Sequence, residues 1–379
     1  MTPLFSNPAP GTPRRSFDLL AEEVQNPPTI ADLFGLVAAR PGSSLLDADP
    51  WAANHWQATC FGYDPFLTFS AKGQEITILQ EGELSQLTGD PFRHLQALFQ
   101  QYRDVAPARD FPTAGAIGYF GYDLRHHLET LPAVAVDDLG LPDCVIHFYD
   151  LLFWFEPGTG RLLVTSSGLP LPPGVDRRRR ARERLQEGLD LIRQARLIAR
   201  SAPPDLSHTE APLESNMSKA YYFKALEAVL EYIAAGDIYQ ANISQRFATH
   251  FLGDPWALYR RLRTRFPASF GAYLHCGPFH VLSNSPERFL LAEGDRISTC
   301  PIKGTHPRGM TVEDDARIIG HLRHDPKECA EHVMIVDLER NDLGRICQVG
   351  SVHVEQFETI ETYHTLHHMV STVAGILEE

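Results

Sequence analysis

Cysteine is scarce in this chain and never clustered: Cys60, Cys144, Cys276, Cys300, Cys329 and Cys347 are scattered over 379 residues. Without any Cys-x-x-Cys pair, neither a zinc site nor a dense disulfide framework is indicated, and a reducing compartment suits the pattern. Apolar runs that approach the length of a membrane span are missing. Residues 1–15 carry prolines where a secretory signal needs an unbroken apolar stretch. Positive charge is short as well, 34 Lys and Arg against 48 Asp and Glu, for a net charge of −14. That balance argues against sequence-independent nucleic-acid binding, which needs a basic field, but it allows an anion to be held at a local basic or metal site. The expectation is a cytoplasmic protein that engages neither membrane nor nucleic acid.

The 43% apolar and 22% charged fractions are ordinary for a globular protein, and 27 Gly with 28 Pro imply many turns. The length accommodates two or three domains or one large one. Short β-type runs at 74–79, 114–119, 145–155 and 161–165 alternate with turn clusters and predict a sheet-rich first half. A proline-rich break at 168–174 precedes a helical pattern over 177–200, with Leu185, Leu189, Ile192 and Ala199 near helical spacing. Its opening run, Arg177 to Arg180, reads as a solvated helix start, because no interleaved aromatics support a nucleic-acid surface.

A second break at 201–212 leads to a helix carrying Tyr222, Leu226, Val229 and Ile233 and ending at Gly236. The division is placed here, with an N-terminal region over 1–205 and a second region over 206–379. Residues 238–247 alternate, with Tyr239, Ala241, Ile243 and Phe247 on one side and Gln240, Asn242, Ser244 and Arg246 on the other. The polar side is either a solvent-facing sheet surface or the wall of a polar pocket. Further strands are expected at 268–275, 280–283 and 296–300, with helices beginning at Thr311 and Asp325. Without regular βαβ alternation, the fold class is α+β, largely antiparallel sheets with flanking helices.

Asp325 suits an N-cap, Pro326 the first helical position and Glu328 the capping-box position. On the helix so defined, Glu331, Ile335, Leu338 and Asp342 share a face expected to be buried. Glu328 and Glu331, three residues apart, repel each other unless a cation lies between them or one is protonated. Carboxylate oxygens favour magnesium over zinc. The plainer reading has Glu328 as a cap only and Glu331 paired with Arg340 or Arg345. Lys303 lies in Pro301-Ile302-Lys303-Gly304-Thr305, where Gly304 lets backbone approach a ligand. It is a candidate nucleophile once its amine loses a proton, or else an ordinary surface lysine. Glu287, after Pro286, is either an acid aimed into a cleft or the partner of Arg288. His364, His367 and His368 lack the carboxylate or cysteine spacing of a transition-metal site, so a hydrogen-bonding histidine facing a substrate is the better expectation.

Taken together, Gly236-Asp237-Ile238-Tyr239-Gln240-Ala241-Asn242, Ser285-Pro286-Glu287-Arg288-Phe289, Pro301-Ile302-Lys303-Gly304-Thr305 and the stretch from Glu331 to Asp342 resemble the chorismate-utilising enzyme family in order and spacing. His368-Met369-Val370-Ser371, Leu45-Leu46-Asp47 and the 115–122 segment extend the resemblance over most of the chain. The implied fold is that of anthranilate synthase component I. Lys303 resembles the aminodeoxychorismate synthase component I branch, because anthranilate synthases usually have alanine there. The resemblance implies amination of chorismate at C4 to 4-amino-4-deoxychorismate, for 4-aminobenzoate and folate synthesis, with anthranilate synthase component I as the alternative activity.

By the same resemblance Lys303 attacks C2 of chorismate and Glu287 protonates the departing C4 hydroxyl. Glu331 and Glu328 would bind Mg2+, and Gln240, Gly304, Thr305 and His368 would contact substrate. Gln240 stands where isochorismate and salicylate synthases place a lysine that activates water. Ammonia would come from a glutamine amidotransferase subunit. Ala48 departs from the serine of tryptophan-sensing relatives, so tryptophan feedback is not carried over. The family's catalytic domain continues beyond the equivalent of Glu379 with a glycine-rich carboxylate clamp and another magnesium-binding glutamate. A second polypeptide completing the domain, or a split fragment acting as a binding module, is therefore a further expectation.

Overall fold

Leu67, Phe69 and Ala71 are buried while Thr68, Ser70 and Lys72 are half-buried, the alternation of a strand with one face on a core. The computed structural model that shows this describes residues 20–48, 58–103, 114–197 and 212–378. Two units emerge, one of residues 1–201 with 259–379 and one of residues 202–258. Residues 1–15, the break at 201–211 and Ala199 lie outside the described residues. Among the described residues no helix is long and apolar enough to cross a membrane.

Among the described residues the larger unit contains three antiparallel sheets. Leu67–Lys72 belongs to a five-stranded sheet in the order Glu83–Thr88, Glu75–Gln80, Leu67–Lys72, Cys144–Tyr149, Gly115–Phe120. Helix Pro91–Gln101 packs Leu95 and Leu98 into its core with Phe69, Ile76 and Phe148. A seven-stranded sheet runs Leu20–Val24, Arg161–Ser166, Leu151–Glu156, Thr59–Gly62, Ser44–Asp47, Phe270–His275, His280–Ser285. Here Leu46 pairs with Ala272, so strands from both sides of residue 205 share one sheet, and the compact units do not follow the 1–205 and 206–379 division.

The run expected as one strand over 145–155 is two, Cys144–Tyr149 in the five-stranded sheet and Leu151–Glu156 in the seven-stranded one. The chain changes sheets at Asp150, whose fully buried carboxylate accepts from Arg180 Nε at 3.0 Å and Arg184 Nε at 3.2 Å. Both arginines come from helix Val175–Leu197. Arg177, at 3% exposure, donates to the Ser167 carbonyl at 2.8 Å. The arginine run is therefore not simply a solvated helix start: a buried carboxylate and a buried carbonyl needed donors, and the helix supplies them.

The third sheet is built around Leu366–Ile376, flanked on one side by His353–Thr362 and on the other by Arg296–Cys300 and Ile302–Pro307, with Arg288–Glu293 outermost. Helix Pro326–Gly344 covers it, placing Val336 and Leu343 against Ile297 and Val373.

In the smaller unit, helix Lys219–Ala235 begins at Ser218, whose hydroxyl accepts from Tyr221 N, and ends at Gly236 in the left-handed region at φ 81°. The alternating stretch 238–247 does not form the expected strand; only Phe247–Ala248 pairs, with Glu214–Ser215. Its polar residues instead make local bonds, Arg246 N to Asn216 Oδ1 at 2.9 Å and Gln245 Nε2 to Ser215 Oγ at 2.7 Å.

Candidate active site

Ile302–Pro307 pairs with Leu366–Ile376 so that Lys303 faces Met369 and Thr305 faces His368, which leaves Gly304 as the extra residue of a bulge. Gly304 has φ +79°, and a Cβ there would lie 2.8 Å from Leu322 Cδ1 and 3.4 Å from Glu328 Oε2. Glycine is required twice, for the left-handed backbone and for this close approach. The bulge re-aims the half-buried Lys303 and brings the Glu328 carboxyl against the turn that presents it.

Glu287 reaches the same turn from another element. The Ser285 hydroxyl accepts from Glu287 N at 3.3 Å and shapes the bend after Pro286. Glu287 Oε1 then accepts from Ile302 N at 3.0 Å, fixing the carboxyl at the residue next to Lys303. Arg288 does not take up Glu287 as the plainer reading had it: its Nη2 donates to Ser298 Oγ at 3.0 Å.

On the other side of the bulge, Thr305 Oγ1 and His368 Nδ1 are 2.8 Å apart. His368 is 6% exposed, and burial pulls its pKa below the usual histidine value against an opposing pull from Glu361. His364, His367 and His368 do not converge. His367 is buried between Asp315 Oδ1 at 3.0 Å and Thr362 Oγ1 at 2.9 Å. Asp315, which also holds Arg308 and Gly309 N, has its carboxyl pushed far below the usual range, first by the Arg308 guanidinium.

Helix Pro326–Gly344 is capped as expected, Asp325 Oδ1 accepting from Lys327 N at 2.9 Å and Glu328 N at 3.1 Å. Its buried face is one residue out of phase with the expected one. His332, Val336 and Leu343 are buried, whereas Leu338 is 42% exposed and Asp342 lies on the surface. The helix turns this way because His332 meets a polar partner inside: its Nε2 lies 2.6 Å from Ser371 Oγ. The same Ser371 oxygen also accepts from Glu358 N at 3.0 Å. Burial drops the His332 pKa to about 4.

Glu331 consequently sits at the edge of the buried face and makes a long pair with Lys327, 3.9 Å, rather than with Arg340 or Arg345. Arg340 pairs with Asp337. Glu328 and Glu331 offer two carboxylates one turn apart, a donor set suited to a hard divalent cation that completes its shell with water and ligand oxygens. Among the described residues no group of three or more His, Cys, Asp or Glu converges as a metal cage. Gln240 lies in the irregular 238–246 stretch of the smaller unit.

Glu339 was not anticipated. Burial raises its pKa, a Thr299 hydrogen bond opposes this, and Glu287 and Asp342 add to the rise. Its Oε2 has no partner among the described residues. The one available sequence signal was its place seven residues after His332, on a face not expected to be buried.

The sequence profile of the chorismate binding enzyme family matches residues 45–379. The chain belongs to that family. It is 34% identical to aminodeoxychorismate synthase component 1 of Escherichia coli (strain K12), over 83% of this chain and 66% of the relative. It is 36% identical to anthranilate synthase component 1 of Thermus thermophilus, over 82% of this chain and 65% of the relative. The chain thus spans about two thirds of the length of these curated relatives. Crystalline anthranilate synthase component I from Streptococcus pneumoniae TIGR4 superposes with a TM-score of 0.72 at 25% identity, covering 88% of this chain and 71% of that one. The α+β architecture of antiparallel sheets with flanking helices is that of anthranilate synthase component I.

Proposed function

We propose that this family member aminates chorismate at C4, giving 4-amino-4-deoxychorismate, as the aminodeoxychorismate synthase component I branch does. The reading rests on Lys303, set in a bulge with the Glu287 carboxyl bound to the adjacent Ile302 N–H. The neutral Lys303 amine adds at C2, the ring double bonds shift, and the C4–O bond breaks as Glu287 gives its proton to the departing hydroxyl, releasing water. Ammonia then bonds to C4 and becomes an ammonium that can give a proton to solvent, the double bonds shift back, and Lys303, its nitrogen having kept its protons since addition, leaves C2 as the neutral amine. One difficult displacement becomes two easier ones.

Thr305 and His368 orient the ring substituents, and Gly304 lets the substrate approach the backbone. The sequence carries Gln240 at the position where the water-activating relatives have a lysine, which favours amination over addition of water. Glu328 and Glu331 would hold Mg2+, which supplies positive charge for a substrate carboxylate. Ammonia is delivered by a glutamine amidotransferase subunit.

Replacing Lys303 with Ala should cut amination of chorismate by ammonium and magnesium by roughly the 10²–10⁴-fold typical of losing a proton-transfer or nucleophilic group. Unchanged turnover would refute the covalent role. Identity to anthranilate synthase component 1 is as high as to the aminating relative, which keeps that activity as the second reading. Fluorescent anthranilate formed without any added lyase would establish it instead.

A further inference from the structure

Three strands meet at His368. Thr305 is its partner on one side and Glu361 on the other, so the three side chains share a face of the sheet. Thr305 occupies Nδ1. With the hydroxyl donating to Nδ1, the ring proton is on Nε2, the nitrogen left for a ligand. Glu361, directly across, is a carboxylate able to accept that same proton. It is held elsewhere: Tyr363 donates its phenol hydroxyl to Glu361 Oε2 at 2.6 Å, a short charge-assisted bond. The Tyr363 ring meanwhile stands edge-on to His368, with centroids 5.4 Å apart and planes at 71°.

We propose that Tyr363 is a positioning residue whose hydroxyl keeps the Glu361 carboxylate off His368, so that the imidazole remains a neutral Nε2–H donor for the substrate; this rests on reading His368 as a substrate contact. The ionisable groups on the strands paired with that of His368 and at the neighbouring helices include His353, Glu355, Glu358, Glu361 and Tyr363 on the 353–366 hairpin, Lys303 and His306 on the 302–307 strand, Glu328 at Gly304, and Asp315, which is taken up by His367. Of these, Glu361 is the charge that bears on His368. Without the phenol hydroxyl, Glu361 can compete with the substrate for Nε2–H and favour the imidazolium.

Ring nitrogen-15 resonances of His368, assigned with His368→Gln, would be titrated by NMR in wild type, Tyr363→Phe and Tyr363→Phe/Glu361→Gln. Phe keeps the ring edge and removes only the hydroxyl. The expected result is a rise of the His368 midpoint by about one pH unit in Tyr363→Phe, reversed in the double variant. The KM for chorismate should rise about tenfold in Tyr363→Phe with little change in kcat, the size of one lost ligand hydrogen bond. A Tyr363→Phe titration superimposable on wild type overturns the proposal. A shifted midpoint with His368 resonances indifferent to chorismate upholds the Tyr363–Glu361 restraint and refutes instead the substrate role of His368.

Discussion

Gly304→Ala tests whether the bulge beside Lys303 is held by both backbone conformation and packing. An L-residue at φ +79° costs about 1–2 kcal/mol. The added methyl would also lie 2.8 Å from Leu322 Cδ1, and Leu322 is 0% exposed, so its side chain has little room to retreat. Overpacking of that kind costs a further 1–3 kcal/mol or so, for a total of about 2–5 kcal/mol. The chain contains its own control. Gly294 has φ +65° with nothing within 4 Å of the position a methyl would take, so Gly294→Ala isolates the backbone component. Urea unfolding should show Gly304→Ala to be the more destabilised by about 1–3 kcal/mol, and in a double-mutant cycle the cost of Gly304→Ala measured in a Leu322→Ala background should be smaller by much of that difference. Equal midpoints for the two glycine variants would refute the packing argument. Activity should fall further than stability, since the bulge aims Lys303.

Asp150→Ala should destabilise the protein by about 3 kcal/mol or more in the same assay, because Arg180 and Arg184 would lose the buried carboxylate that holds them. A loss under about 1 kcal/mol would mean that water replaces it. Acid should destabilise the fold through His147, which burial, then His275, pulls from 6.5 to about 4. A depressed histidine pKa means that the unfolded chain takes the proton first, so stability present above pH 6.5 is lost as pH falls toward 4, by up to about 1.4 kcal/mol per pH unit. Urea midpoints across that window should fall less steeply in His147→Gln, with buried His332 leaving a remaining slope; an identical slope would assign the effect to other groups.

Local chemistry was legible where one residue type has one structural use. Asp325 followed by Pro326 announced a helix start, and Gly236 an end, because caps are read from neighbours in sequence. Lys303, Glu287, Gly304, Glu328, Thr305 and His368 were singled out together, and the larger unit gathers them around one bulge. The phase of helix Pro326–Gly344 was not legible. Ile335 and Leu338 form as apolar a stripe as Val336 and Leu343, and the choice between them depends on Ser371 receiving His332 from a strand far along the chain. Likewise the apolar run at 145–155 contains no glycine or proline to mark a break, and only the donors that a distant helix brings to Asp150 reveal a change of sheet.

Glu287 occupies the two-residue passage between His280–Ser285, the last strand of the seven-stranded sheet, and Arg288–Glu293, the outer strand of the third. The acid is thus mounted on a mechanical joint. Any rocking of one sheet against the other would swing its carboxyl relative to Lys303, and the bond to Ile302 N is the pin that opposes this motion. An excised third sheet would carry Lys303 but lose the strand that anchors the turn bearing Glu287, so neither sheet alone fixes the proposed pair.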